Sequence, residues 1–185
     1  MKYRCTMLVS FGVSKDSRMT KVLLLSDTHS YMDDRILEHA AASDETWHAG
    51  DVGTGPVLEQ LEAVTRVRAV YGNIDDAGLR SSLPLDNRFA CDGLQVWMTH
   101  IAGYPGRYNK RVREQLAAGP VPDVVICGHS HILKVMRDKK YGHMHLNPGA
   151  IGIHGFHQVR TMLRFVVDAG NMRDMEVIEY PRKAN

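Results

Sequence analysis

The stretch Ser26-Asp27-Thr28-His29 sets a carboxylate and an imidazole one residue apart, directly after the apolar run VLLL at 22–25. If the chain stays extended there, both side chains point to one face. An oxygen donor and a nitrogen donor on one face are what a divalent ion of borderline softness takes. The arrangement recurs without being a sequence repeat: an apolar, β-branched-rich run ends in a small residue and a potential ligand follows. ETWHAGD ends in Asp51, VRAVYGN in Asn73, LQVWMTH in His100, and DVVICGHSH in His129 and His131. Gly50, Gly72 and Gly128 each stand just before such a ligand, where they are expected to let the backbone turn sharply.

Runs of this length, bounded by Gly and polar clusters, make better strands than helices. Between the first three lie two expected helices. Residues 32–42 follow candidate caps at Ser30 and Asp33, with Ile36, Leu37 and Ala40 on one side, and residues 56–65 begin at Pro56, where a first helical turn accepts proline. Strand–helix–strand–helix–strand implies parallel strands, and in such sheets ligands bind beyond the carboxyl ends of the strands. All five polar endings are therefore expected along one rim. A hairpin is expected through Cys91-Asp92-Gly93, and a helix over 108–118, closed by Gly119-Pro120. After His131 come short β-like pieces, HILKVMRD, YGHMHL, VRTMLRFVVD and NMRDMEVIEY, without helical connections. They predict that the second half builds a second, mixed sheet. The fold class is α/β, with two sheets packed together and helices outside.

The chain has 185 residues, enough for one domain with a substantial core. Its net charge of +2 gives no footprint of a sequence-independent nucleic-acid or membrane-surface binder, and no apolar run approaches the roughly 18 residues of a membrane span. Cys5, Cys91 and Cys127 are odd in number and form no CxxC, so they read as reduced thiols of a cytoplasmic protein. Residues 1–18 are read as an extension from an upstream start, with CTMLVSF as an edge strand the alternative, and residues 19–185 as a single domain.

Taken in order, D-x-H at 27–29, G-D at 50–51, G-N-x-D at 72–75, a lone His100 after a strand and G-H-x-H at 128–131 resemble the calcineurin-like metallophosphoesterase superfamily. Within it the chain is similar to the small, cap-less phosphodiesterases of bacteria and archaea, and N-P-G-A at 147–150 resembles their N-P-G-S turn. The resemblance covers nearly everything beyond the N-terminal extension. It implies a four-layer αββα sandwich of two mixed sheets and a dinuclear centre. One metal would take Asp27, His29, Asp51 and His131. The other would take Asp51, Asn73, His100 and His129, so that Asp51 bridges. Asp51, Asn73 and His100 are then the candidate catalytic residues. Two divalent ions bring four positive charges and the two Asp cancel two, which favours a bridging hydroxide as nucleophile and an anionic phosphoryl oxygen as its target. Imidazole, carboxylate and amide donors without thiolate suit Mn first, with Fe, Zn or Ni as alternatives, better than Mg.

Two departures stand out. Ile74 occupies the place where many relatives carry a leaving-group-protonating His, and Ala150 stands where Ser is usual. Asp75 is read as holding its loop. Outside the ligand set, His48 is expected to support a ligand rather than be one, and His143 and His145 to face solvent on a strand. His154 and His157 are expected at the surface, with His154 able to approach the pocket. Arg107, Lys110 and Arg111 could clamp an anion or merely be solvated, and Cys127 reads as a buried small hydrophobe. The functional expectation is a metal-dependent phosphodiesterase acting on a small phosphodiester, with self-association left open and nucleic acid disfavoured. The alternative is a metal-binding interaction scaffold like the small retromer subunit.

Overall fold

The structure is a computed structural model and describes residues 19–182; the N-terminal extension and its alternative edge strand lie outside the described residues. In chain order the elements are β1 (Thr20–Leu25), α1 (Asp34–Ala41), β2 (Glu45–His48), α2 (Gly55–Glu62), β3 (Arg66–Ala69), α3 (Ala77–Ser82), β4 (Asp86–Cys91), β5 (Leu94–Thr99), β6 (Gly103–Tyr104), β7 (Arg107–Tyr108), α4 (Lys110–Ala118), β8 (Val124–Ile126), β9 (Leu133–Arg137), β10 (Met144–Pro148), β11 (Val159–Asp168) and β12 (Asn171–Pro181). One sheet runs β12-β11-β1-β2-β3, the other β4-β5-β8-β10-β9. Within them β1, β2 and β3 are parallel, as are β5, β8 and β10.

Alternation along the strands builds four layers. Val22 and Leu24 face the second sheet and pack with Trp47, Val96, Met98, Val124, Ile126 and Phe165 between the sheets. Leu23 and Leu25 point the other way, onto Ile36, Ala40, Val57 and Leu61 of α1 and α2. On the far side Trp97 and Val125 meet Tyr108, Val112 and Leu116 beside α4. Burying strands on both faces in this way is what gives the central ones their near-continuous apolar sequences.

Four sequence expectations change. The second half does not keep to the second sheet: β11 pairs antiparallel with β1, Val22 opposite Phe165, and brings β12 with it. As the outermost of the three parallel strands, β1 would otherwise leave one ladder edge open, and β11, mostly buried, closes it. A third helix, α3, went unanticipated because six residues hold too few turns for a periodic pattern. The helix expected from 108 starts at 110 under an Asn109 cap, while Tyr108 belongs to the short β6–β7 ladder. At α1 the cap is Asp33, whose side chain accepts the Ile36 N–H at 3.0 Å; Ser30 is not the cap. Among the described residues no helix is long and apolar enough to cross a membrane.

Candidate metal centre

Each candidate ligand follows the carboxyl end of β1, β2, β3, β5 or β8. Backbone hydrogen bonds lace these ends together: Asp27 N–H donates to Gly50 O, His29 N–H to Asp51 O, and Gly128 N–H to His100 O. The result is two groups whose donor atoms converge within 4.8 Å, Asp27 with His29 and His131, and Asp51 with His100 and His129. In the first, His131 Nε2 lies 3.2 Å from Asp27 Oδ1 and 3.3 Å from His29 Nε2. In the second, His100 Nε2 lies 3.2 Å from Asp51 Oδ1. Asn73 stands beside them, in the wall of a 390 Å³ cavity that also meets His100, Arg80, Ile101 and Arg111.

The ends are not extended. Asp27, His29, Asp51, His129 and His131 all have φ between 48° and 70°, and so does Ser30 at 68°. The side chains of Asp27 and His29 therefore converge because the chain curls left-handed after β1, not because of strand alternation. Non-glycine residues in that region are strained by about 1–2 kcal/mol each, and such strain gathers at functional sites. The glycines serve by two different means. Gly50, at φ 96°, does turn sharply, but Gly72 and Gly128 are needed for closeness: a Cβ would fall 2.0 Å from Asp51 Oδ1 at the former and 2.0 Å from Ser26 Oγ at the latter.

The donor set suits cations. His100 Nδ1 lies 2.8 Å from the Ala49 carbonyl and donates to it. That leaves Nε2, fully buried and without an aligned hydrogen-bond partner, 3.2 Å from Asp51 Oδ1. Burial favours neutral Asp51, but His100, the Ile74 N–H and His29 outweigh it and hold the carboxyl below its usual range, ionised at neutral pH. Burial likewise opposes charge on His100, yet Asp51 and Asp27 raise its pKa. Buried lone pairs and carboxylates of this kind fit divalent ions of borderline softness.

Around them sits a supporting shell. His48 is fully buried; the Gly50 N–H donates to its Nδ1 at 3.2 Å, so its Nε2–H faces Thr28 Oγ1 at 2.9 Å, and Thr28 in turn donates to Val52 O. Burial pushes its pKa down to about 4. Asp75 holds its loop as expected, accepting the N–H groups of Gly53 and Gly72, each at 2.7 Å. Arg80, which sequence did not single out, donates to the carbonyls of Asp75 and Asn73. Asn147 of the N-P-G-A turn donates to Gly128 O, while Ala150 is fully buried. Of the expected anion clamp, Arg111 reaches the cavity wall but pairs with Asp86, Arg107 is exposed, and Lys110 pairs with Glu114.

Four histidines deserve correction or placement. His143 and His145 do not face solvent; both are buried under Tyr108, whose hydroxyl lies 2.8 Å from His143 Nε2 and 3.3 Å from His145 Nδ1. Tyr104 and Tyr108 of β6–β7, with Tyr141 stacked on His143, cover that face, which alternation alone could not disclose. Cys127, buried beside His145, has its thiol pushed up to about 12 by burial. His154 is exposed, its ring 5.2 Å from that of His29. His157 is only half-exposed and touches His131.

The model of the calcineurin-like phosphoesterase superfamily domain matches residues 20–170. A probable metallophosphoesterase of Methanothermobacter thermautotrophicus is 29% identical over 137 residues, which are 69% of this chain and 74% of that protein. Among solved structures, a novel archaeal phosphodiesterase superposes with a TM-score of 0.62 at 20% identity, covering 85% of this chain and 99% of the other. Vacuolar protein sorting 29 from Cryptosporidium parvum gives 0.62 at 17% identity over 88% and 98%.

Proposed function

We propose that this chain, which belongs to the calcineurin-like phosphoesterase superfamily, hydrolyses a phosphodiester with two divalent cations, Mn first and Fe, Zn or Ni as alternatives. The observation that carries this reading is the place of Asp51. Its Oδ2 faces His29 at 3.8 Å and its Oδ1 faces His100 at 3.2 Å, so one carboxylate addresses both donor groups. Asp27, His29, Asp51 and His131 would hold one cation, and Asp51, Asn73, His100 and His129 the other. Bound there, the pair would supply Lewis acidity at the phosphoryl group and acidify water.

The chain's own residues orient the ester. Asn73 and His100 lie in the wall of the 390 Å³ cavity, where Arg80 adds positive charge that favours an anionic ester. Ile74 contributes only its backbone N–H, 3.1 Å from Asp51 Oδ1; its side chain has no proton to give a departing alkoxide. We take residues 19–185 as one domain, since every proposed ligand falls between 27 and 131 and both sheets lie within 20–182.

The test is metal analysis with a panel of nitrophenyl and nucleotide phosphodiesters. Chelation should abolish hydrolysis and Mn should restore it at least as well as Mg. Full activity in metal-free protein would overturn the reading. Metal binding without hydrolysis of any ester would favour the interaction scaffold, a reading supported by the likeness to vacuolar protein sorting 29 in fold.

A further inference from the structure

The loop after β10 carries an imidazole that the proposed ligand set does not use. His157 Nε2 lies 3.0 Å from the carbonyl oxygen of Gly152, which can only accept, so Nε2 carries the proton. In a neutral ring the other nitrogen, Nδ1, is then bare. It faces His131 Nδ1 at 3.2 Å. Two facing nitrogens need one proton between them, and this one must belong to His131. His131 is thereby left with its lone pair on Nε2, the atom that meets Asp27 and His29.

We propose that His157 is a positioning residue that locks His131 in the Nδ1-protonated tautomer and aims its Nε2 at the metal centre. The role is the one usually filled by a carboxylate or carbonyl behind a ligating His, here filled by a second imidazole braced in turn by a backbone carbonyl. Two neighbours make room for the pair and hold it. Gly155, at φ 121°, packs so closely that a Cβ would fall 2.4 Å from His131 Nδ1. The Arg182 guanidinium donates to Gly155 O at 2.6 Å and to His157 O at 3.3 Å, tying the loop to the end of β12. The inference rests on the dinuclear reading for what His131 binds through Nε2, whereas the Nδ1 proton follows from the two ring contacts alone.

Two variants separate this role from simple loop bracing. His157→Asn places an amide oxygen near the Nδ1 position and can still accept from His131. His157→Gln reaches Gly152 but offers nothing at that position. Long-range proton–nitrogen NMR correlations of the metal-free, nitrogen-15-labelled protein read which nitrogen of His131 is protonated. The expected result is Nδ1–H in the unmodified protein and in His157→Asn, and loss of that preference in His157→Gln. Competition with a chelator for Mn should give about 10–100-fold weaker binding in His157→Gln and near-normal binding in His157→Asn. A His131 without a proton on Nδ1 in the unmodified protein, or recovery by Gln and not Asn, would overturn the proposal. If the unmodified protein bound none of Mn, Fe, Zn or Ni, the dinuclear reading would fail while the Nδ1 measurement still decided the role of His157.

Discussion

The site is built at close quarters, so single atoms decide it. Gly72→Ala would set a methyl 2.0 Å from Asp51 Oδ1 and 2.3 Å from Asp51 N, displacing the carboxylate that both donor groups share. We expect metal content to fall and the protein to lose about 1–3 kcal/mol of stability, the usual cost of overpacking; retention of both ions would mean that Asp51 is not held where it stands. Asp75→Ala should also act at a distance, since it strands two N–H donors and frees the loop bearing Asn73. Calorimetry should register a lowered melting temperature beside weaker Mn binding. Ile74 bears on chemistry rather than stability. General-acid help is typically worth about 10²–10⁴-fold, and this side chain supplies none. Rates should therefore climb steeply with the acidity of the leaving group, nitrophenyl diesters far outpacing alkyl ones, and Ile74→His should narrow that gap. A flat dependence would point to another donor, with His154 the first to replace.

At the scale of elements, the end of the molecule away from the ligands is closed by two hairpin tips. Asp92-Gly93 between β4 and β5 has φ of 40° and 89°, and Ala169-Gly170 between β11 and β12 has 46° and 82°. Two successive positive φ values are the signature of tight two-residue hairpins, which prefer Asn or Asp followed by Gly. The tips dock on each other, with Gly170 N–H donating to Asp92 O at 2.7 Å and the Asp92 side chain accepting from Thr20. Ala169 is the residue out of place. Ala169→Asn should raise the urea midpoint, and Gly93→Ala should lower it by the equivalent of about 1–2 kcal/mol, neither altering metal content. The Cys91-Asp92-Gly93 turn was legible because its residue types are those such a turn demands. Helix α3 was not, its six residues offering one buried position, Leu79.

At the scale of the whole molecule, burial sets the acid limit of stability. His48 and His145 are fully buried and their pKa values are pushed down to about 4, chiefly by loss of hydration. Their folded values lie below the unfolded one, near 6.5, so between these limits the unfolded chain holds protons that the folded chain does not. Stability should therefore fall as pH drops through 6.5, and the loss is complete below about 4. Each group can contribute up to about 1.4 kcal/mol per pH unit. Urea unfolding of metal-free protein at pH 7.5 and pH 5 reads this, and His145→Leu should flatten the slope; an unchanged slope would remove His145 from the account.

What the sequence determined by itself was the order of donors and the strand ends that carry them. Apolar runs of strand length, punctuated by Gly and followed by Asp, Asn or His, state both in residue types alone, because burial on two faces and donor chemistry are properties of single side chains. What tertiary structure decided were the relations between segments remote in sequence. Only the folded chain brings β11 beside β1, covers His143 and His145 with Tyr108, and stands His157 behind His131, 26 residues away. Local periodicity has no term for such pairings. The curl after β1 belongs here too, since Asp27 and His29 are held at positive φ by backbone bonds from the ends of β2 and β10.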